Sequence, residues 1–449
     1  MSVLYFSMKA MLKSMLFGVL ILVFGCVAVG AKDYVVVTHQ KNLGDVRWAE
    51  VVNFLRTKYG AGVVTYSNSV EEALVWLSRE RPKYTAFVAQ PLDVSREFVA
   101  KVHVLTRRLD DDPYGDTIWG IVTGFDAGNA LELVGVKSPL IVRRAAGGTS
   151  IPLSHFAEGV WYSEGKAGFG MEKKRGEKPM EIKVPQDTTK LLVDELNGNA
   201  DLFVTSGHAT ERDWQIGYTY KNGYFKSRAG DLFGEDIQGR RYEIKSKHPR
   251  VYLPVGNCLM GHIDGMDAMA LAWMKSACVV QMIGYTVPTW FGYMGWGVLD
   301  YFVEQPGRFS LSEAFFANQQ ALLWCLEKNP KSKGHLFDRD VVAFYGDPAF
   351  EARLEKSEMQ WEQILMEKEG VFTFTVRIND MERRFQLVDS NGSQRGGRPI
   401  FEFLPRRVGR CRVIEGNEFE PVITENFILV PQPAKGELTE FKIVFKEEI

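Results

Sequence analysis

The chain has 449 residues, 45% of them hydrophobic and 24% charged, which is enough apolar sequence for one large core or two ordinary ones. Lys and Arg (54) nearly balance Asp and Glu (56), so the formal net charge is −2. This balance leaves no basic excess to neutralise phosphates, and the composition therefore argues against a nucleic-acid partner.

An apolar segment near the start, residues 15–31, follows two lysines and predicts a secretory leader. The small residues Val29 and Ala31 stand where a signal peptidase requires them, so we expect residues 1–31 to be a signal peptide and the mature chain to be exported to the periplasm, cell surface or medium. Two alternatives stay open, a retained membrane anchor and a lipid anchor on Cys26. Membrane contact is expected only through this segment.

The part of the chain after the leader contains four widely spaced cysteines, Cys258, Cys278, Cys325 and Cys411, and no CxxC pair. An exported protein meets an oxidising environment, in which disulfides persist. However, Cys278 and Cys325 lie in apolar segments where a cysteine behaves as a small hydrophobic residue. We therefore expect no disulfide framework.

Apolar β-branched runs alternate with segments of helical spacing from residue 34 onward. The predicted strands are YVVVTH (34–39), GVVTYS (62–67) and YTAFVA (84–89), and the predicted helices are 48–60 and 70–80. Such alternation predicts a mostly parallel sheet covered by helices on both faces. We assign residues 32–160 to a first α/β subdomain.

Two polar segments interrupt this pattern. The acidic stretch 110–116 (DDDPYGD) lacks EF-hand spacing, so we interpret it as a solvated turn rather than a calcium site. Residues 163–186 are rich in Gly, Lys and Glu with little periodicity, which predicts a surface loop where an activating cleavage could occur.

The second half of the chain contains a predicted helix (188–198) and three strands (200–207, 250–256 and 277–285). We assign residues 161–365 to a second, catalytic α/β subdomain. From about residue 370 the pattern changes to the alternation typical of exposed antiparallel strands. Residues 366–449 are therefore predicted to form a small β-sandwich domain.

Two residues with complementary chemistry follow predicted strands of the second subdomain. His208 comes directly after the strand 200–207, and two residues separate Cys258 from the end of VYLPV. Parallel α/β sheets present functional groups at the carboxyl ends of their strands, so the two side chains meet if the strands are neighbours. A thiolate is a strong nucleophile and a nearby histidine manages its proton, which predicts a cysteine hydrolase.

Other chemistries fit these residues less well. His262 lies four residues after Cys258, so Cys258, His262 and His208 are also conceivable zinc ligands, but no further ligand has recognisable spacing. We expect no metal and no other cofactor. A serine nucleophile is not favoured because the sequence has no GxSxG motif.

Three stretches resemble the gingipain-type cysteine peptidases of the caspase-like clan, over about residues 33–355. They are SGHATERDW (206–214), VGNCLMG (255–261), and VVQMIGYTVPTW (279–290) together with FYGDPAF (344–350). In the first stretch Gly207, His208, Glu211 and Trp214 match the family spacing, and the second contains the position of the family's catalytic cysteine.

This resemblance implies a caspase/gingipain-like α/β fold followed by an immunoglobulin-like β domain, and a protein or peptide substrate. It implies that Cys258 attacks the scissile carbonyl and that His208 protonates the leaving amine. The backbone N–H groups of Cys258 and Ala209 would bind the oxyanion, and Thr289 and Trp290 would line the pocket for the residue before the cut.

The chain departs from the family pattern at three places. Ala209 replaces a glycine, so a positive φ there would be strained; Asn257 replaces the alanine before the nucleophile; and residues 145–148 lack the family's acid. The alternative to an active endopeptidase is therefore a catalytically weak or inactive peptidase-like binding or structural module. The acid that would set a basic specificity stays open among Glu158, Glu164, Asp264 and Asp267.

Overall fold

The computed structural model of the chain describes residues 33–379, 394–433 and 438–448. The predicted leader, with Cys26, lies outside the described residues. None of the helices within the described ranges is both long enough and apolar enough to cross a bilayer.

A sheet of 12 strands forms the centre of an α/β body, with smaller sheets beside it. In chain order the body contains the strands β1 (Tyr34–His39), β2 (Gly62–Tyr66), β3 (Tyr84–Val88), β4 (Ile118–Val122), β5 (Leu140–Val142), β6 (Arg144–Gly147), β7 (Glu158–Tyr162), β8 (Phe169–Lys173), β9 (Met180–Lys183), β10 (Leu202–Thr205), β11 (Asp213–Gln215), β12 (Tyr224–Arg228), β13 (Asp231–Glu235), β14 (Arg241–Glu243), β15 (Arg250–Pro254), β16 (Val279–Tyr285), β17 (Val342–Gly346) and β18 (Ala352–Leu354). The strand order of the central sheet is β2, β1, β3, β4, β17, β16, β15, β10, β6, β7, β8, β9. Its pairs are parallel except β16 with β17, β7 with β8, and β8 with β9.

Helices cover both faces of this sheet. They are α1 (Gln40–Gly44), α2 (Val46–Tyr59), α3 (Leu74–Glu80), α4 (Arg96–Thr106), α5 (Ala127–Val134), α6 (Thr189–Asn197), α7 (Met269–Ser276), α8 (Tyr293–Phe302), α9 (Leu311–Lys328) and α10 (Lys333–Asp338). Alternate residues of β1 enter two different cores: Val36 packs with α2 and α5, whereas Val37 packs with α3 and α4. β15 and β16 are buried at every position, as expected of strands with helices on both faces.

The strands that precede the two candidate catalytic residues are neighbours. β10 and β15 pair in parallel, with Leu202 opposite Val251 and Thr205 opposite Pro254. Their carboxyl ends therefore reach the same edge of the sheet, where the chain turns towards His208 and Cys258. His208 and Cys258 thus follow neighbouring strands, as their meeting at one site requires.

Residues 163–186 do not form the loop that the sequence predicted. They contain β8 and β9, which extend the central sheet beyond β7 as antiparallel edge strands. Both strands are largely exposed or half-buried, so they carry little of the hydrophobic signal that identifies a strand in a sequence. The predicted subdomain boundary after residue 160 falls inside β7, in the middle of one continuous sheet.

The C-terminal region is a sandwich of two antiparallel sheets. One contains β19 (Trp361–Lys368), β20 (Val371–Ile378), β22 (Cys411–Glu415) and β25 (Glu440–Glu447), and the other β21 (Ile400–Phe403), β23 (Val422–Ile423) and β24 (Phe427–Val430). Apolar side chains of both sheets share one core. The predicted fold class, a mostly parallel α/β sheet flanked by helices and followed by a small β-sandwich, is confirmed; the predicted boundary after residue 365 falls inside β19.

The sandwich packs closely against the α/β body. Phe401 of β21 lies 6.1 Å, between ring centroids, from both Phe309 and Phe316. Two buried arginines, Arg395 and Arg398, reach the buried carboxylate of Asp300 on α8. Buried ion pairs therefore connect the C-terminal region to the α/β body.

Candidate active site

A cleft of about 470 Å³ opens at the carboxyl ends of β15, β10, β6 and β7. It is lined by Ser150, Trp161, Ser163, Glu164, Gly165, Ser206, Gly207, His208, Tyr218, Gly256, Cys258, Thr289, Trp290, Phe291, Gly292 and Trp296. The structure therefore brings four of the predicted site residues to one cavity: His208, Cys258, Thr289 and Trp290.

Cys258 is a half-buried free thiol on the turn that follows β15. Its Sγ accepts a hydrogen bond from the N–H of Thr289 at 3.3 Å and lies 3.7 Å from the carbonyl oxygen of the same residue. The next residue, Leu259, has a φ of 59°, a left-handed conformation that costs a non-glycine residue free energy. The turn thus holds the sulfur in the cleft with a strained backbone.

His208 is exposed at the rim of the same cleft. Its ring lies against Tyr218, with 5.1 Å between the ring centroids and an interplanar angle of 35°. In the described part of the chain no hydrogen bond joins the imidazole to the Cys258 thiol or to a carboxylate. Nucleophile and base often align only when substrate binds, so this geometry is compatible with catalysis without requiring it.

The left-handed residue of the His208 loop is a glycine. Gly207 has a φ of 92°, whereas Ala209 is not among the residues with a positive φ. The strain anticipated at Ala209 therefore does not arise, because the preceding glycine makes the turn. Ala209 is half-buried, forms an isolated bridge with Trp214, and lies outside the set of residues that line the cleft.

Two backbone donors assigned to the oxyanion have no protein acceptor among the described residues: the N–H groups of Cys258 and Ala209. In the bridge between Ala209 and Trp214, the hydrogen bonds are made by the flanking residues, from Gln215 to His208 and from Thr210 to Asp213. Of the two residues, Cys258 lines the cleft and Ala209 does not. Their role in binding an oxyanion stays a prediction.

Asn257 connects the turns that carry His208 and Cys258. Its side chain is fully buried. The amide Nδ2 donates to the carbonyl oxygen of Gly207 at 2.9 Å, and Oδ1 accepts from the Thr205 hydroxyl at 2.6 Å. Asn257, which stands where the family pattern has an alanine, therefore links the two candidate catalytic segments by hydrogen bonds.

Of the four acids left open by the sequence, only Glu164 lines the cleft. Its Oε1 accepts from the hydroxyls of Thr149 at 2.6 Å and Ser206 at 3.2 Å. The others are engaged elsewhere: Glu158 near Arg144, Asp264 with Arg212, and Asp267 with the backbone N–H of Ala229.

The zinc alternative finds no support in the described residues. His262 Nδ1 lies 2.9 Å from Glu211 Oε1 and does not line the cleft, so Cys258, His262 and His208 are not assembled as ligands. The group of potential metal-binding side chains that does converge in the described ranges is Asp110, Asp112 and Asp116, away from the cleft.

Four further aromatic residues of the cleft were not predicted from the sequence, namely Trp161, Tyr218, Phe291 and Trp296. Trp296 lies on α8, whose residues are all buried and whose sequence is indistinguishable from an ordinary core helix. A tryptophan in an apolar helix gives no signal that one edge of its ring faces a cavity. Trp290, in contrast to Trp296, is 65% exposed, and its ring centroid lies 5.5 Å from that of Phe337.

No family model matches the sequence, and no curated protein matches it. The fold is similar to the crystal structure of the Arg-specific cysteine proteinase gingipain R (RgpB), at 11% identity, covering 92% of this chain and 94% of that chain, with a TM-score of 0.44. It is also similar to the complex of Porphyromonas gingivalis RgpB pro- and mature domains, at 12% identity, covering 90% and 93%, with a TM-score of 0.45. At such identities the likeness concerns the fold alone.

Proposed function

We propose that the protein is an exported cysteine endopeptidase that hydrolyses peptide bonds with Cys258 and His208. The observation that carries the proposal is the position of these residues: they follow neighbouring parallel strands and line one cleft. A thiol and an imidazole are one of the pairs of groups that carry out nucleophilic hydrolysis of an amide.

In the proposed reaction the Cys258 thiolate attacks the carbonyl carbon of the scissile bond. The C–N bond breaks as protonated His208 gives its proton to the leaving amine, and a thioester remains on the sulfur. A water molecule then adds to the thioester and gives its proton to His208, which releases the carboxylic acid product and restores the thiolate. The N–H groups of Cys258 and Ala209 would stabilise the oxyanion in both steps.

The second candidate is a peptidase-like binding module with weak or no activity. It is favoured by the His208 side chain, which packs on Tyr218 and has no orienting carboxylate among the described residues. A base without an orienting partner is held less firmly in its productive geometry. This candidate requires that Cys258→Ala leave the biological role of the protein intact.

Covalent labelling separates the two candidates. A peptide carrying a thiol-reactive acyloxymethyl ketone should label the wild-type protein once per chain, whereas Cys258→Ser should abolish labelling and His208→Ala should slow it. Cys411→Ser, at a half-buried thiol of the β-sandwich, is the matched control and should label like the wild type. Labelling of Cys258→Ser at the wild-type rate would exclude Cys258 as the nucleophile.

Export rests on the leader alone and is tested separately. N-terminal sequencing of protein recovered from outside the cytoplasm should begin near residue 32. Recovery of the chain only from the cytoplasm, with its first residues intact, would contradict this part of the proposal.

A further inference from the structure

The cleft contains a polar group, the indole N–H of Trp296, that the proposed hydrolysis does not use. Trp296 is only 5% exposed, yet its indole N–H has no hydrogen-bond acceptor among the residues the structure describes. The indole nitrogen is close to Gly256, since a Cβ added there would stand 2.9 Å from Nε1. Because this N–H borders the open cleft, a substrate that fills the cleft removes it from water and has to supply an acceptor in exchange.

A carboxylate lines another part of the same cleft. Glu164 is held by two hydroxyls, those of Thr149 and Ser206, which donate to its Oε1. Ser206 directly follows β10, and Gly256 follows β15, the strand that pairs with β10. The Glu164 carboxylate and the Trp296 N–H therefore belong to adjoining parts of one cavity, beside the Cys258 sulfur.

From this pair we infer that the cleft selects a substrate residue whose side chain ends in a primary carboxamide, asparagine or glutamine, next to the bond that is cut. The inference rests on the proposed function. The carboxamide oxygen accepts from the Trp296 indole N–H, and the carboxamide NH₂ donates to Glu164. The walls of Trp161 and Trp290 contact the aliphatic part of the side chain.

Other side chains form only one of these two contacts. Lysine or arginine would pair with Glu164 but leave the indole N–H of Trp296 buried without an acceptor. Aspartate or glutamate would accept from Trp296 but would face the Glu164 carboxylate. Because a buried donor left unpaired loses its hydrogen bonds to water without replacement, each mismatch lowers the rate by about tenfold or more.

Peptide substrates that differ only in this residue test the inference. With glutamine, asparagine, norleucine, arginine and glutamate compared, kcat/KM should be highest for a carboxamide. Trp296→Phe keeps an aromatic ring without the N–H, and should lower kcat/KM about tenfold for glutamine or asparagine but not for norleucine. Glu164→Gln should raise the relative rate with glutamate.

Two kinetic results would overturn the inference while leaving the hydrolase intact. One is a preference for arginine over both carboxamides in the wild-type enzyme. The other is an equal loss of kcat/KM for every substrate in Trp296→Phe, which would assign Trp296 a merely structural role.

A binding measurement decides the inference even if no peptide is cleaved. In ¹⁵N-labelled Cys258→Ala protein, acetyl-Ala-Gln-N-methylamide should shift the Trp296 indole N–H resonance, assigned by its loss in Trp296→Phe. The norleucine analogue should leave the Trp296 resonance unmoved. In a Trp76→Phe background, where the substituted tryptophan lies on α3, the glutamine peptide should still shift the Trp296 resonance. An unmoved Trp296 resonance at saturating glutamine peptide would refute the inference.

Discussion

The buried amide of Asn257 donates a hydrogen bond to the carbonyl oxygen of Gly207 at 2.9 Å, across the gap between the two turns of the candidate site. The same side chain accepts from the Thr205 hydroxyl at 2.6 Å, so both of its ends are bound to the segment that precedes His208. Asn257 is the residue immediately before Cys258. The position of the His208 imidazole relative to the Cys258 sulfur therefore depends on the Asn257 side chain, which does not take part in the proposed reaction.

Replacement of Asn257 by alanine is expected to lower both stability and reactivity. The variant leaves the Gly207 carbonyl and the Thr205 hydroxyl without this partner, which should reduce the free energy of unfolding by about 1–3 kcal/mol. It should also slow labelling of Cys258 by the peptide probe. Urea unfolding and labelling rates, measured where both proteins are fully folded, give the two quantities.

Asn197→Ala is the matched control for Asn257. The exposed Asn197 side chain also makes two hydrogen bonds, to the carbonyl of Glu243 and from the N–H of Lys245, but it precedes the start of β10, whose other end leads to the cleft. The Asn197→Ala variant should lose some stability, but the peptide probe should label its Cys258 at the wild-type rate. A wild-type labelling rate in folded Asn257→Ala would show that Asn257 does not position the site.

The pair His208 and Cys258 could be predicted from the sequence because the ends of strands and the chemistry of each residue are recognisable without the fold. The sequence identified Asn257 only as a departure from a pattern, since a cross-link between residues 50 positions apart appears only after β10 and β15 are paired. Glu164 could not be chosen among four acids for the same reason. β8 and β9 were missed because polar edge strands lack hydrophobic alternation.

Among the described residues, the three cysteines outside the cleft are expected to react slowly with iodoacetamide at neutral pH. Burial raises the pKa of the Cys278, Cys325 and Cys411 thiols above the ordinary value of 9.0, so little thiolate is present at pH 7. Their alkylation should accelerate as the pH rises through and beyond 9. Cys258, which lines the open cleft, should be modified first.

Peptide mass spectrometry after timed alkylation at pH 7 and pH 9.5 measures these four rates separately. Urea-unfolded protein is the control, because unfolding removes the effect of burial and should make the thiols react alike. Equal modification of Cys325 and Cys258 in the folded protein at pH 7 would contradict the prediction.

Asp347, from the Gly-Asp-Pro stretch that resembles the family, has a structural role here. Its buried carboxylate accepts hydrogen bonds from the hydroxyls of Tyr34 at 2.9 Å and Tyr59 at 2.6 Å, and pairs with Lys58 at 3.1 Å. These partners belong to β1 and α2, so Asp347 ties the end of β17 to the first subdomain. Burial, followed by the Asp347 charge, raises the pKa of Tyr34 well above its ordinary value.

Asp347→Ala should lower the free energy of unfolding by about 2–4 kcal/mol, because it leaves the buried Tyr34 hydroxyl, the half-buried Tyr59 hydroxyl and the Lys58 ammonium without their acceptor. Asp347→Asn, which keeps an acceptor oxygen, should cost less. Asp194→Ala, which breaks the exposed pair with Lys190, should change stability by less than about 1 kcal/mol. A loss in Asp347→Ala no larger than in Asp194→Ala would refute this role.

Asp116 is the buried member of the acidic turn that the sequence suggested would be solvated; it is only 2% exposed. Burial, with the nearby Asp110 carboxylate as the next cause, raises its pKa to about 8. The unfolded chain ionises near pH 3.9, so between that value and pH 8 the folded state holds a proton that the unfolded state has lost. Stability contributed by this group is therefore present at low pH and decreases as the pH rises towards 8.

Asp116→Asn should remove this pH dependence, because the amide stays neutral while its oxygen can still accept from the Leu109 N–H, now bound at 3.0 Å. Asp116 alone can lower the free energy of unfolding by at most about 1.4 kcal/mol per pH unit between pH 4 and pH 8. The variant should thus gain stability relative to the wild type at pH 8 and gain little at pH 4.5, as measured by urea unfolding at both values. Asp194→Asn, at an exposed carboxyl, should show no such gain. A difference between Asp116→Asn and the wild type that is the same at both pH values would mean that Asp116 ionises normally in the folded protein.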